Sequence, residues 1–137
     1  MRIIRSLSEV RAEDRGASAA LGNFDGVHRG HQAVLDLARG GPGPLGVVTF
    51  EPHPREFFAP EAPPFRLMNA AARAHRLEKL GVELLFELPF DHAMAALTPE
   101  AFARDVLAEA LGQHVPREGL RRQRRRGAIE GQLGQQL

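Results

Sequence analysis

Residues 20–35 read "ALGNFDGVHRGHQAVL" and concentrate the chain's most reactive side chains. Gly22, Gly26 and Gly30 let a backbone turn sharply and let a ligand approach it closely. If a helix opens near residue 30, its first N–H groups lack intrahelical partners and its positive dipole end lies there, which makes an anion site. His28 and His31, three apart, fall on one side of that first turn. Both rings can then reach one anion and, as neutral donors or imidazolium ions, stabilise charge on a phosphoryl group. Two other readings stay open at this point. A His-x-x-His pair can ligate zinc if a third ligand comes from elsewhere, and a polar turn can be purely structural. Asp25 shapes the loop, lies near a metal, or bonds its own backbone as an Asx turn.

The flanking pattern says what positions these residues. Residues 2–4 and 17–21 are short apolar strands, the second running into the 22–28 loop. A helix follows from about Gly30 to Arg39, with His31, Val34, Leu35 and Ala38 on one face, and "GGPGP" (40–44) stops it. "LGVVTF" (45–50) reads as a strand covered on both faces. The proline-rich stretch 51–65 cannot hold regular structure for long. A helix fits 69–80, capped by Asn69 and closed by Gly81. "VELLFEL" (82–88) is a third central strand, and Thr98-Pro99-Glu100 opens a helix ending near Gly112. Alternating strands and helices predict an α/β fold with a parallel sheet and helices on both faces. In such sheets ligands bind beyond the carboxyl ends of the strands. Three features sit there: the 22–31 loop, "EPHP" (51–54) and "PFD" (89–91). Asp91 contacts substrate or, by slight preference, caps the next turn. His75, His92 and His114 lack companions at useful spacing and read as surface residues. The Phe and Leu residues at 84–88 and 102–111 read as core.

Composition narrows the setting. The 137 residues suit one domain, and a 43% hydrophobic fraction suits a buried core. There is no cysteine, which excludes disulfides and thiolate metal sites and allows a reducing compartment. Charge comes too early for a signal peptide, and no apolar run reaches the roughly 18 residues of a membrane span. A soluble, cytoplasmic protein is expected, with no membrane partner. Residues 1–116 carry 12 basic and 15 acidic side chains, whereas residues 117–137 carry 6 basic and 2 acidic. That tail, with its arginines between Arg117 and Arg126, has no usable period and reads as loop or disorder.

The motifs also resemble a known family. "GNFDGVHRGHQ" contains the H-x-G-H signature of nucleotidylyltransferases and closely resembles the first motif of bacterial FAD synthetases. These form the N-terminal adenylyltransferase domain of bifunctional riboflavin kinase/FAD synthetases. "VVTFEPHPREFF" (47–58), "RL" (66–67), "LGVELLFELPFD" (80–91) and "LTPEAFARDVL" (97–107) are similar to that family in the same order. The resemblance spans about residues 15–112. It implies a Rossmann-like nucleotidylyltransferase fold and the reaction ATP + FMN to FAD + diphosphate, with Mg²⁺. It implies His28 and His31 as catalytic residues. Nucleotide binding falls to Gly22, Asn23, Phe24, Asp25, Gly26 and Gly30, and flavin binding to Thr49, Pro52, His53, Pro54 and Phe57, with Phe58 as a neighbour. A rigid loop whose phenylalanines fill the core is the competing reading of residues 51–58.

Family members continue past residue 112 with a further strand, a Ser/Thr-rich phosphate motif and a riboflavin kinase domain, which "HVPREGLRRQRRRGAIEGQLGQQL" does not match. The expected division is therefore a partial FAD synthetase domain at 1–114, incomplete at its C-terminus, and an Arg-rich tail at 115–137. A truncated or shifted reading frame would give this ending, with weak or absent FAD synthesis. Three rival readings are nucleotidyl transfer to another phosphate acceptor, an inactive fragment, and nucleic-acid binding through the tail. The last is not expected, because the tail has no interleaved aromatic residue.

Overall fold

The computed structural model describes residues 1–112. The expectations for the Arg-rich tail and for His114 lie outside the described residues. Four strands form one parallel sheet: β1 (Arg2–Ile4), β2 (Ser18–Leu21), β3 (Leu45–Glu51) and β4 (Leu84–Pro89), in the order β1-β4-β3-β2. Each strand pairs in parallel with its neighbour, as the alternating pattern requires. Helix α1 (Arg29–Arg39) connects β2 to β3. The short α2 (Pro54–Phe58) and then α3 (Ala70–Lys79) lie between β3 and β4. Beyond β4 come α4 (His92–Ala95), one α turn α5 (Pro99–Ala101) and a π-helix (Phe102–Ala110).

The sheet is covered on both faces. Val47 and Leu85 pack with Leu35 of α1 and with Ala74 and Leu77 of α3. Val48, Phe50, Phe86 and Leu88 pack with Phe102, Val106 and Leu111 on the opposite face. The side-chain alternation of a strand makes this split: odd positions of β3 and β4 face α1 and α3, even positions face the C-terminal helices. Burying an aliphatic or aromatic side chain this way contributes about 1.5–3 kcal/mol.

Local signals set the element ends. Asn69 Oδ1 accepts from Ala72 N–H, Asp91 Oδ1 from Met94 N–H and Thr98 Oγ1 from Ala101 N–H. Asp91 therefore caps α4, as preferred above. Gly81, at φ 89°, closes α3: its N–H bonds Glu78 O, and Val82 N–H bonds Leu77 O. Those bonds take Val82 into the helix closure, so β4 starts at Leu84 rather than at the expected residue 82.

Two further differences stand out. Val34 is exposed, although the spacing placed it on the buried face of α1. Only the stripe through Leu35 and Ala38 meets the core. The last helix is π-wound beyond Ala101; Leu111 N–H reaches back five residues to Val106 O. This winding turns Phe102, Val106 and Leu111, spaced by four and five, onto the same core.

Candidate active site

The loop after β2 follows an unusual path. Phe24 and Val27 have φ values of 53° and 41°, in the left-handed region that side chains with a Cβ avoid. Each such residue costs on the order of 1–3 kcal/mol and persists only where its surroundings hold it. Here they do. Both side chains are buried in the core beside Leu35 and Val47. Gly26, at φ 78°, lies so close to Leu67 that an added Cβ would meet its side chain at 2.8 Å.

Asp25 ties this loop to the segment before α3. Its carboxylate accepts from Leu67 N–H at 2.9 Å and from Met68 N–H at 3.1 Å. The Asx-turn reading is thus corrected: the partner backbone is more than forty residues away in sequence, not its own. Below the loop, Asn23 O accepts from Arg73 Nη1 at 3.2 Å and from Thr49 Oγ1 at 3.5 Å.

At the mouth of α1 the two histidine rings stack, with centroids 3.6 Å apart. His28 is the N-cap: its Nδ1 accepts from Gly30 N–H at 3.1 Å and from His31 N–H at 3.4 Å. His31 Nδ1 accepts from His28 N–H at 3.2 Å. The sequence placed free N–H groups at this mouth, yet those of residues 28, 30 and 31 are taken by the two rings. This reciprocal cap has a chemical consequence. A neutral imidazole has one donor and one acceptor nitrogen, so both rings carry their proton on Nε2. Burial, then the neighbouring His28, lowers the pKa of His31, with Asp25 pulling the other way. His31 is therefore a neutral Nε2–H donor at neutral pH.

A cavity of about 300 Å³ opens here, lined by Gly22, Asn23, Asp25, His28, His31 and His53 among others. His53 follows β3 and caps α2, its Nδ1 accepting from Arg55 N–H at 3.0 Å. Burial, then Arg66, lowers its pKa. Two of the three strand-end features thus converge on one cavity. "PFD" does not join them: Phe90 is core and Asp91 is a cap.

The residues assigned to the flavin divide in the same way. Pro52 lines a second cavity of about 420 Å³ with Glu56, Phe65 and Arg66. Pro54 is buried as the first residue of α2. Thr49 is fully buried beneath the Asn23 carbonyl. Phe57 packs edge-on against Phe90 and His92, at the rim of the core.

A charged network that the motifs did not single out supports both loops. Arg66 makes a two-pronged ion pair with Glu51, at 2.8 and 3.0 Å, and reaches Glu56 at 3.3 Å. Arg73, 1% exposed, bonds Glu51 at 2.7 Å and faces Glu87 at 3.7 Å. Burial lowers the Arg73 pKa, opposed by Glu51. The signal was present as strand parity: Glu51 and Glu87 share the side of Val47 and Leu85, and Arg73 lies four residues before buried Leu77. Among the described residues, Asn23 Oδ1, Arg66 Nε and Arg73 Nε are buried without a partner. Also among them, no group of three or more His, Cys, Asp or Glu side chains is arranged to hold a metal ion.

Comparison with known proteins adds to this geometry. The profile of the FAD synthetase family matches residues 10–116. A bifunctional riboflavin kinase/FMN adenylyltransferase of Pseudomonas fluorescens is 43% identical over 120 residues, covering 84% of this chain and 38% of that protein. The protein of the same name from Escherichia coli K12 is 37% identical over 116 residues, covering 81% of this chain and 37% of that one. The chain thus spans well under half the length of these relatives. A crystal structure titled as a macrolide-efflux protein from Streptococcus pneumoniae superposes with a TM-score of 0.63 at 27% identity, over 82% of this chain and 38% of that one.

Proposed function

The chain belongs to the FAD synthetase family, and on that premise we propose that its site transfers the adenylyl group of ATP to FMN. An FMN phosphate oxygen attacks the α-phosphorus of ATP. The bond from that phosphorus to the α–β bridging oxygen breaks, and pyrophosphate leaves with the electron pair. The nucleophile is already an anion, so no activating base is needed. Catalysis rests on alignment and on neutralising charge at the α-phosphate and leaving group.

The observation that carries this reading is the stacked His28–His31 pair, its Nδ1 atoms spent on the helix cap and its Nε2–H groups left for a ligand. The backbone N–H groups of residues 23–26 would complete the phosphate site, with Gly22 and Gly30, whose own N–H groups are spent on Val48 O and His28 Nδ1, letting the phosphate come close and Phe24 and Asp25 holding the loop in shape. The cavity beside Pro52 and Phe65 supports a flavin ring near the "EPHP" loop. Thr49, Pro54 and Phe57 would act there through packing. No preassembled Mg²⁺ site exists among the described residues, and both Asp25 oxygens already accept backbone bonds. Mg²⁺ would enter on the ATP phosphates and neutralise their charge.

No described helix is long and apolar enough to cross a membrane. The absence of cysteine and the use of ATP support a cytoplasmic setting. The family match ends at residue 116, which supports the domain boundary proposed at 114.

Calorimetric titration tests the reading. ATP and FMN both bind, and replacing His28 and His31 together by alanine weakens ATP at least about ten-fold. No heat from either ligand, or ATP binding undisturbed in the double variant, contradicts it.

A further inference from the structure

The resemblance gives His53 to the flavin wall, but its surroundings suit another task. We propose that His53 is a third phosphoryl-oxygen donor, acting with His28 and His31 in their shared cavity. This deepens the adenylyl-transfer reading and rests on it for the identity of the phosphates.

Three observations converge. First, His53 lines the same cavity as the histidine pair, from the β3 side rather than the α1 side. Second, its Nδ1 accepts from Arg55 N–H, which leaves the proton on Nε2, as in the other two rings. Among the described residues, no acceptor takes that Nε2–H. Third, the ring is 7% exposed, and Phe65 meets it at 82° with centroids 4.9 Å apart. Stacking on a flavin needs an open ring face, and a side chain this buried exposes little surface for one. The edge with unused bonding capacity is Nε2–H.

The field around the ring fits an anion as well. After burial, Arg66 and Arg73 lower the His53 pKa, and Glu56 and Asp25 raise it. Both arginines are partly neutralised through Glu51, so the cavity keeps a neutral donor backed by cations. Donors then reach a bound phosphoryl group from the ends of two adjacent strands, β2 and β3. Such a bracket suits a reaction that must align two phosphates.

Two substitutions separate the functions of the ring. In His53→Asn the side-chain oxygen sits near the Nδ1 position, keeps the cap on Arg55 N–H and removes the Nε2 donor. In His53→Gln the amide N–H₂ sits near the Nε2 position and the cap is lost. Pyrophosphate, FMN and riboflavin are the probes. The expected result is that His53→Asn weakens pyrophosphate and FMN about ten-fold, leaves riboflavin unchanged, and that His53→Gln recovers part of the loss. Riboflavin weakened as much as FMN, with pyrophosphate unchanged, returns His53 to the flavin wall and overturns the proposal. Failure of the unmodified protein to bind pyrophosphate also overturns it. Pyrophosphate responding as expected while FMN fails to bind upholds the three-histidine site and removes FMN as the acceptor. If a variant does not fold, histidine ¹⁵N spectra of the unmodified protein decide. His53 Nε2 shifts on adding pyrophosphate, and an unmoved Nε2 overturns the proposal.

Discussion

His28 and His31 are held by partners no more than three residues away: each ring caps the other's backbone. The network beneath them is assembled from afar. Glu51 ends β3, Arg66 precedes α3, Arg73 lies on α3 and Glu87 on β4. The first region needs only a helix start and two imidazoles. The second needs the finished sheet. The difference shows a division of labour: local bonds fix which imidazole nitrogens stay free, and long-range bonds fix where the two loops stand relative to each other.

Breaking the long-range half has the largest expected effect. Arg73→Met keeps the bulk but takes the buried guanidinium from the Asn23 carbonyl, Glu51 and Glu87, leaving Glu51 to Arg66 and Glu87 to Arg5. Loss of one partner from a buried pair costs about 3–5 kcal/mol. Urea unfolding should show that loss. A change under about 1 kcal/mol would mean the network tolerates its absence and does not organise the loops.

The local half gives a smaller and divisible effect. His28→Ala removes the cap and should cost about 1 kcal/mol, whereas His28→Asn, which can still accept from the helix N–H groups, should cost little. Both lose the Nε2 donor, so both should weaken pyrophosphate alike. If affinity followed stability instead, with His28→Asn binding normally, the ring would be a cap alone.

Acidification gives the smallest expected change and sharpens the same contrast. Burial, then the neighbouring His28 and Arg66 respectively, holds His31 and His53 below the ordinary histidine pKa of about 6.5. Between the folded and unfolded values the unfolded chain binds more protons, so stability falls as pH drops through that window. Above about 6.5 this contribution is fully present. Urea midpoints from pH 7.5 downward should therefore decline below about 6.5, less steeply in His31→Gln. A midpoint that rises on acidification would contradict the burial of these rings as neutral groups.

The same division explains what could be read from the sequence. Helix starts at Asn69 and Thr98 and the stop at Gly81 are encoded within a few residues, and they stand where the pattern placed them. The place of the histidine pair at a helix mouth was legible for the same reason, although its role as its own helix cap was not. Asp25 defeated local reasoning because its partners, Leu67 and Met68, arrive only when the chain before α3 folds back. Glu51 and Glu87 looked like strand-end polar residues. Only the sheet alternation, applied jointly to β3 and β4, puts both on the α3 side where Arg73 waits.

The central claim is that the mouth of α1 presents neutral Nε2–H donors because each Nδ1 is spent on backbone. Long-range ¹H–¹⁵N correlation of the imidazole rings at pH 7.5 tests this directly. The account predicts the Nε2–H tautomer for both His28 and His31. A protonated Nδ1 on either ring, as the other tautomer or as imidazolium, would contradict it.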